Sequence, residues 1–231
     1  MALIKGSSWV WPQVDDRSVK ELSLIYHRLL SFFGEQGWWP AETPFEVMVG
    51  AILTQNTAWR NVEHAIANLK EAGVLTSAGL RRIPERKLAR LIRPAGYYNV
   101  KARRLKALIA FLTREYGGNL QRMFREPLAP LRERVLTVKG VGPETADSIL
   151  LYAGEKPTFV IDAYTKRVLS RHGMITDGAS YGAIQELFMR SLPADVPLYK
   201  EYHALFVRLA KSFCKTKPQC AGCPLEQGWP T

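Results

Sequence analysis

At 231 residues with 47% apolar side chains, the chain has material for one globular unit or two small domains, each able to bury a core. Its net charge of +11 is lopsided: residues 81–140 hold sixteen Lys or Arg against four acids, which leaves the remainder near neutral. The longest apolar run near the front, VMVGAIL at 47–53, is far short of the roughly 20 residues a membrane span needs, and MALIKGSSWVW lacks the long apolar stretch of a secretion signal. A cytoplasmic protein is expected. Three cysteines within 214–223 suit a reduced compartment better than a disulfide framework. The cation cluster points to a polyanion, because bound nucleic acid releases counterions to such a surface; solvated helix faces are the plainer alternative. A membrane surface is disfavoured, since no basic amphipathic segment carries a matching aromatic face.

The periodicity is helical almost throughout. SVKELSLIYHRLLSFFGEQG places Leu22, Ile25, Leu29, Leu30 and Phe33 on one stripe and stops at glycine. TPFEVMVGAILTQN opens with Thr43 as N-cap, Pro44 at the first helical position and Glu46 three residues past the cap, the pattern of a capping box. NVKARRLKALIAFLTREYGG turns Leu105, Leu108, Ile109 and Leu112 inward and its cations outward, ending at Gly117-Gly118. SYGAIQELFMRSL and LYKEYHALFVRLAKSFC supply two closing helices. No convincing strand, internal repeat or low-complexity tract interrupts them, so an all-α fold with short connections is predicted.

Between two of these helical stretches, LTVKGVGPETADSILLYAG presents the turn Gly140-Val141-Gly142. Two glycines flanking one apolar residue permit positive φ and leave backbone N–H groups uncovered for an anion. Pro143 starts the next helix, whose positive end faces the same place. On the turn alone, a structural helical hairpin is an equal reading.

The surrounding segments separate the two. L-x4-G-V-G-P-E-T-A-D followed by VIDAYTKRVLSRHG resembles the helix-hairpin-helix DNA glycosylases, the superfamily of endonuclease III, and the likeness covers most of the chain. It implies a two-domain all-α fold with a cleft between the domains. The expected division is a helical domain over 37–155 carrying the hairpin and a second domain from 1–36 and 156–231. In that superfamily a catalytic Asp lies eighteen residues after a position that is Lys in the lyase members; here the pair is Glu144 and Asp162. PFEVMVGAILTQNT resembles the helix ending in a DNA-probing Gln, here Gln55, and GYYNVKARRL resembles the segment that wedges into the duplex, around Tyr97, Tyr98 and Asn99. DNA contacts are further expected at Lys101, Lys139, Gly140, Val141, Gly142 and Thr145. Within the superfamily, GWWPAETPFEVMVGAILTQNT looks most like the endonuclease III-like 3-methyladenine DNA glycosylases, with Trp38, Trp39, Pro40 and Phe45, beside Glu144, matching the base pocket.

These residues suit hydrolysis of an N-glycosidic bond. Positive charge builds on the sugar as the base departs, and a fixed anion, Asp162, helps that state more than the ground state. Asp162 also reads as a plain N-cap, and the two roles are compatible. A carboxylate at Glu144 cannot form the Schiff base that a lysine forms, so water is the expected nucleophile and strand cleavage is not expected. The target base must be flipped out of the duplex. Aromatic faces at Trp38, Trp39 and Phe45 favour a cationic alkylated purine, although a Trp pair before proline is also an ordinary structural plug. The expected partner is double-stranded DNA containing damaged bases, bound by a monomer. Alternatives are a relative acting on mismatched adenine, thymine or uracil, and a non-catalytic helix-hairpin-helix DNA-damage-binding protein.

No cofactor is required on this reading. The resemblance implies a monovalent cation held by the carbonyls of Leu136, Val138 and Val141. Many relatives hold a [4Fe–4S] cluster in C-x6-C-x2-C-x5-C spacing, but here Cys214 and Cys220 are separated by five residues and the fourth position is Trp229, so no cluster is expected. Zinc on Cys214, Cys220 and Cys223 with His203 has suitable ligand types but no recognised spacing.

Overall fold

The computed structural model describes residues 16–226, in which twelve α-helices, a 3-10 turn and a π-helical segment follow one another without a strand. The described chain falls into two units, Trp39–Pro157 and the two flanking stretches, with the breaks after Trp38 and after Pro157.

The unit formed by the flanking stretches holds α1 (Asp16–Phe33), α10 (Ala163–Arg171), α11 (Tyr181–Ser191) and α12 (Val196–Ser212). Helix α1 buries Leu22, Ile25 and Leu29 as its stripe requires, and Gly34 at φ +69° ends it. Its core is aromatic: Phe159 stacks on Phe188 at 4.0 Å, and Tyr202 stacks on Phe206 at 4.9 Å. Tyr202 satisfies its buried hydroxyl on the Leu22 carbonyl at 2.9 Å.

The central unit holds α2 (Pro44–Leu53), α3 (Trp59–Glu71), α4 (Ser77–Arg82), α5 (Glu85–Leu91), the 3-10 turn Arg93–Ala95, α6 (Tyr98–Tyr116), α7 (Leu120–Phe124), α8 (Leu128–Leu136) and α9 (Pro143–Ser148), the last running into the π-helical Ile149–Ala153. Helix α2 is buried from Glu46 to Leu53, which explains its almost unbroken apolar run. Thr43 accepts from the Glu46 N–H at 3.1 Å as a cap should. The return half of the capping box is not made: the Glu46 carboxylate accepts from the Glu42 N–H at 3.4 Å and pairs with Lys70 at 3.0 Å.

Helix α6 spans the unit and ends at Gly117 in the left-handed conformation. Leu105, Leu108, Ile109 and Leu112 are buried in the central core. The expectation that all its cations face outward fails at Lys101, which is 1% exposed. Elsewhere the unit pairs cations internally. Arg132 of α8 makes a two-pronged contact with Asp147 of α9, 2.7 and 2.9 Å, and Asp147 is fully buried. This contact ties the two helices of the hairpin. Removing one partner strands a buried charge, so Arg132→Met should lower the unfolding free energy by about 3 kcal/mol or more in denaturant titration; a change near zero would mean that the pair does not hold the hairpin.

Candidate functional site

Asp162 stands immediately before α10, with φ −99° and ψ 177°, and its Oδ1 accepts the Thr165 N–H at 2.7 Å. The second oxygen, Oδ2, lies 3.6 Å from Nε2 of His203 on α12. Both side chains are nearly enclosed, 12% exposed for Asp162 and 7% for His203. Burial pushes the Asp162 carboxyl up, but His203 and the Thr165 hydrogen bonds outweigh it and hold the group below the ordinary carboxylate value. The result is an anion in a single rotamer inside a packed unit. His203, named above only as a zinc ligand, faces Asp162 instead. The signal for it was a polar residue within the buried run Tyr199, Tyr202, Leu205 and Phe206 of α12.

The hairpin turn between α8 and α9 needs one unusual backbone angle. Gly140 sits at φ +88°, whereas Gly142 is extended at φ −96° and serves as N-cap of α9. Val141 is buried, and its N–H donates to the Val138 carbonyl at 3.0 Å, so this N–H is used within the turn. Leu136 ends α8, so the three carbonyls named for a cation belong to the end of that helix and the turn after it. Lys139 and Glu144 are exposed, and Thr145 is buried. Gln55 does not project freely: its side-chain amide donates to the Gly140 carbonyl at 3.1 Å and to Thr145 Oγ1 at 2.9 Å, and its Oε1 accepts from Arg104. A helix α6 cation therefore braces the hairpin through Gln55.

Tyr97 is 72% exposed with φ +45°, a left-handed angle rare for a bulky residue. Asn99 is exposed beyond it, whereas Tyr98 packs against the central core. Lys101 corrects the expectation of a DNA contact, because its ammonium donates to the Leu53 carbonyl, Thr57 Oγ1 and the Ala95 carbonyl at 2.7–2.8 Å.

Each of the two tryptophans has neighbours within its own unit. The Trp39 ring packs on Trp59 at 5.2 Å and Tyr152 at 5.1 Å and lies over Gly50, where a Cβ would come within 3.4 Å. Phe45 packs on the same core, and Pro40 borders a 410 Å³ cleft with Glu42, Glu46 and Lys70. Trp38 instead carries the Lys211 ammonium 5.5 Å from its ring centre.

Cys214, Cys220 and Cys223 border a 310 Å³ cavity with Leu209, Phe213 and Leu225. Arg171 donates to Cys214 Sγ at 3.3 Å and to the Thr216 carbonyl at 2.9 Å, and Arg167 donates to the Cys214 carbonyl at 2.7 Å. Among the described residues no three His, Cys, Asp or Glu side chains converge as a metal would require. Position 229 lies outside the described residues. His203 faces Asp162, and the Arg171 guanidinium meets the Cys214 sulfur.

A Cβ on Gly140 would stand 2.5 Å from Arg104 Cγ. Gly140→Ala should therefore cost at least about 1 kcal/mol in denaturant titration, from the left-handed angle alone; an unchanged midpoint would mean that the turn relaxes without that angle.

The family model for HhH-GPD superfamily base excision DNA repair protein matches residues 49–194. The Methanocaldococcus jannaschii protein named "Putative DNA repair glycosylase MJ1434" is 51% identical over 88% of this chain and 93% of its own length. The thymine/uracil-DNA glycosylase of Pyrobaculum aerophilum is 30% identical over 84% of this chain and 83% of its own. The H. pylori 3-methyladenine DNA glycosylase MagIII, solved with 1,N6-ethenoadenine, superposes with a TM-score of 0.70 at 29% identity over 84% of this chain and 97% of that one. By family match, sequence and fold together, this chain belongs to the HhH-GPD superfamily of base excision DNA repair proteins and is a DNA repair glycosylase of that superfamily.

Proposed function

We propose that the protein is a monofunctional glycosylase that releases a neutral, mispaired pyrimidine, uracil or thymine, by hydrolysis. The observation that carries the hydrolytic reading is Asp162, an ionised carboxylate enclosed at the start of α10. As the C1′–N bond breaks, its electron pair leaves with the base and C1′ becomes cationic; the fixed anion stabilises that charge without reorganising. Water then attacks C1′, and the proton it gives up passes through solvent to the departed base anion, so that the free base and the abasic sugar are both neutral. Glu144, exposed in the first turn of α9, stands where the lyase members of the superfamily carry lysine, and a carboxylate forms no Schiff base.

The choice of base rests on the aromatic residues. A cationic alkylated purine gains over a neutral base only where an open ring face awaits it. Trp39 is engaged by Trp59, Tyr152 and Gly50, and the Trp38 ring already carries the Lys211 ammonium. These partners weaken the case for either ring as a platform for a positive base. The likeness to the Pyrobaculum aerophilum thymine/uracil enzyme supports the same reading. The likeness to MagIII favours the second reading, an alkylated purine.

Base release from matched duplexes carrying uracil, thymine opposite guanine, 3-methyladenine or ethenoadenine tests both parts. The mispaired pyrimidines should be released fastest, and borohydride should trap no protein–DNA adduct. Faster release of an alkylated purine would overturn the substrate, and a trapped adduct would overturn the hydrolytic mechanism.

The pH profile tests the role of His203. In His203→Gln the influence opposing burial is weakened, so the Asp162 pKa should rise and the acid limb of single-turnover base release should move to higher pH than in the wild type. An acid limb identical to that of the wild type would show that His203 does not hold the carboxylate.

A further inference from the structure

Lys101 is a buried lysine that the mechanism does not use. Each of its three ammonium protons meets an oxygen on a different segment: the Leu53 carbonyl at the end of α2 (2.8 Å), Thr57 Oγ1 in the connection to α3 (2.7 Å) and the Ala95 carbonyl closing the 3-10 turn (2.7 Å). The Thr57 hydroxyl itself donates to the Ala95 carbonyl at 2.5 Å, which closes a ring of hydrogen bonds around the ammonium. An apolar side chain would fill this position on α6 without the cost of burying a charge, so the ammonium must be doing what only a triple donor can.

Its anchors lie beside two turns with left-handed residues. Asn56, between Leu53 and Thr57, sits at φ +52°; Tyr97, two residues beyond Ala95, sits at φ +45°. Asn takes such an angle readily, but a bulky residue such as Tyr97 holds it only where the surroundings over-determine it. Tyr97 is also 72% exposed, the most exposed of the large apolar side chains described.

Resting on the DNA-repair reading above, we propose that Lys101 is a positioning residue for duplex engagement: its ammonium locks the 54–57 connection and the 95–97 turn into one rigid element and so fixes the direction in which Tyr97 enters the base stack. Burial, then the charge of Arg104 one turn along α6, pushes the Lys101 ammonium down to about 8. The oxygens facing it from α2, from the connection and from the 3-10 turn carry no ionisable group. The lock therefore opens at a mildly alkaline pH.

The test uses a duplex with a tetrahydrofuran abasic analogue and 2-aminopurine in the neighbouring step, whose fluorescence rises when the stack is wedged apart. Wild type and Tyr97→Ala are compared with Lys101→Met, of similar volume without charge, and with Lys101→Arg. In a folded Lys101→Met, affinity for undamaged duplex should hold, affinity for the analogue duplex should fall about tenfold, and the fluorescence rise should be lost, as in Tyr97→Ala, with no further loss in the double variant. In the wild type the rise should fade through about pH 8 while the far-ultraviolet dichroism stays constant. Retention of the full rise in Lys101→Met, equal loss of affinity for both duplexes, or a wild-type signal flat from about pH 7 to 9.5 would each overturn the proposal. If Lys101→Met does not fold, the wild-type pH profile decides. None of these readouts requires base release, so a wild type that cleaves no glycosidic bond would end the enzymatic reading and leave this one to its own outcome.

Discussion

A carboxylate that must stay charged while shut away from water is the constraint on which the site depends. Burial favours the neutral form of Asp162, and a neutral acid could not answer the charge that develops on a sugar. The fold meets this with the bond that starts α10: the Thr165 N–H, one of the donors a helix leaves unused in its first turn, is given to Oδ1. His203 faces the other oxygen from α12, a helix held in the same unit by edge-on packing of Tyr202 and Phe206 against Phe159 and Phe188. Helix initiation, packing and electrostatics thus act on one side chain, and loss of the cap or of His203 would let the group slide toward its protonated form.

In the central unit, the same logic distributes positive charge. The basic window is not one solvated surface. Lys101 and Lys106 donate to backbone carbonyls, Arg104 holds Gln55, Arg132 grips Asp147, and Arg134 pairs with Glu115 and Glu126. These cations set the geometry of turns and hairpin. Others stay exposed, among them Arg81, Arg86, Arg90, Arg93, Arg103 and Lys139, and these suit phosphate contacts, which orient a protein on a duplex without reading its sequence. Net charge therefore overstates the nucleic-acid surface and understates how much charge is structural.

Much of the fold was legible because long helices announce themselves by period and by caps. The stripe of α1, the Thr43 cap and Pro44 of α2, the left-handed Gly117 after α6 and Asp162 before α10 are local signals that local physics enforces. Short helices such as α4, α5 and α7 span too few turns to show a period, and the π-helical Ile149–Ala153 shares the apolar pattern of an α-helix. Within the site, Asp162 was readable and His203 was not, because their approach is made by two distant helices. Lys101 misled for the same reason: its spacing on α6 says little about which way its ammonium points, and the oxygens that draw it inward lie on other segments. The neighbours of Trp38 and Trp39, Lys211 for one and Trp59 and Tyr152 for the other, are distant in sequence and were not legible from the Trp pair.

The central claim, that one fixed negative charge carries the bond cleavage, is tested most directly by Asp162→Asn. The amide keeps the shape and an oxygen able to accept the Thr165 N–H, so the fold and the duplex affinity should survive. Single-turnover base release should fall by about 10²–10³ or more. Release at the wild-type rate with binding intact would contradict the account.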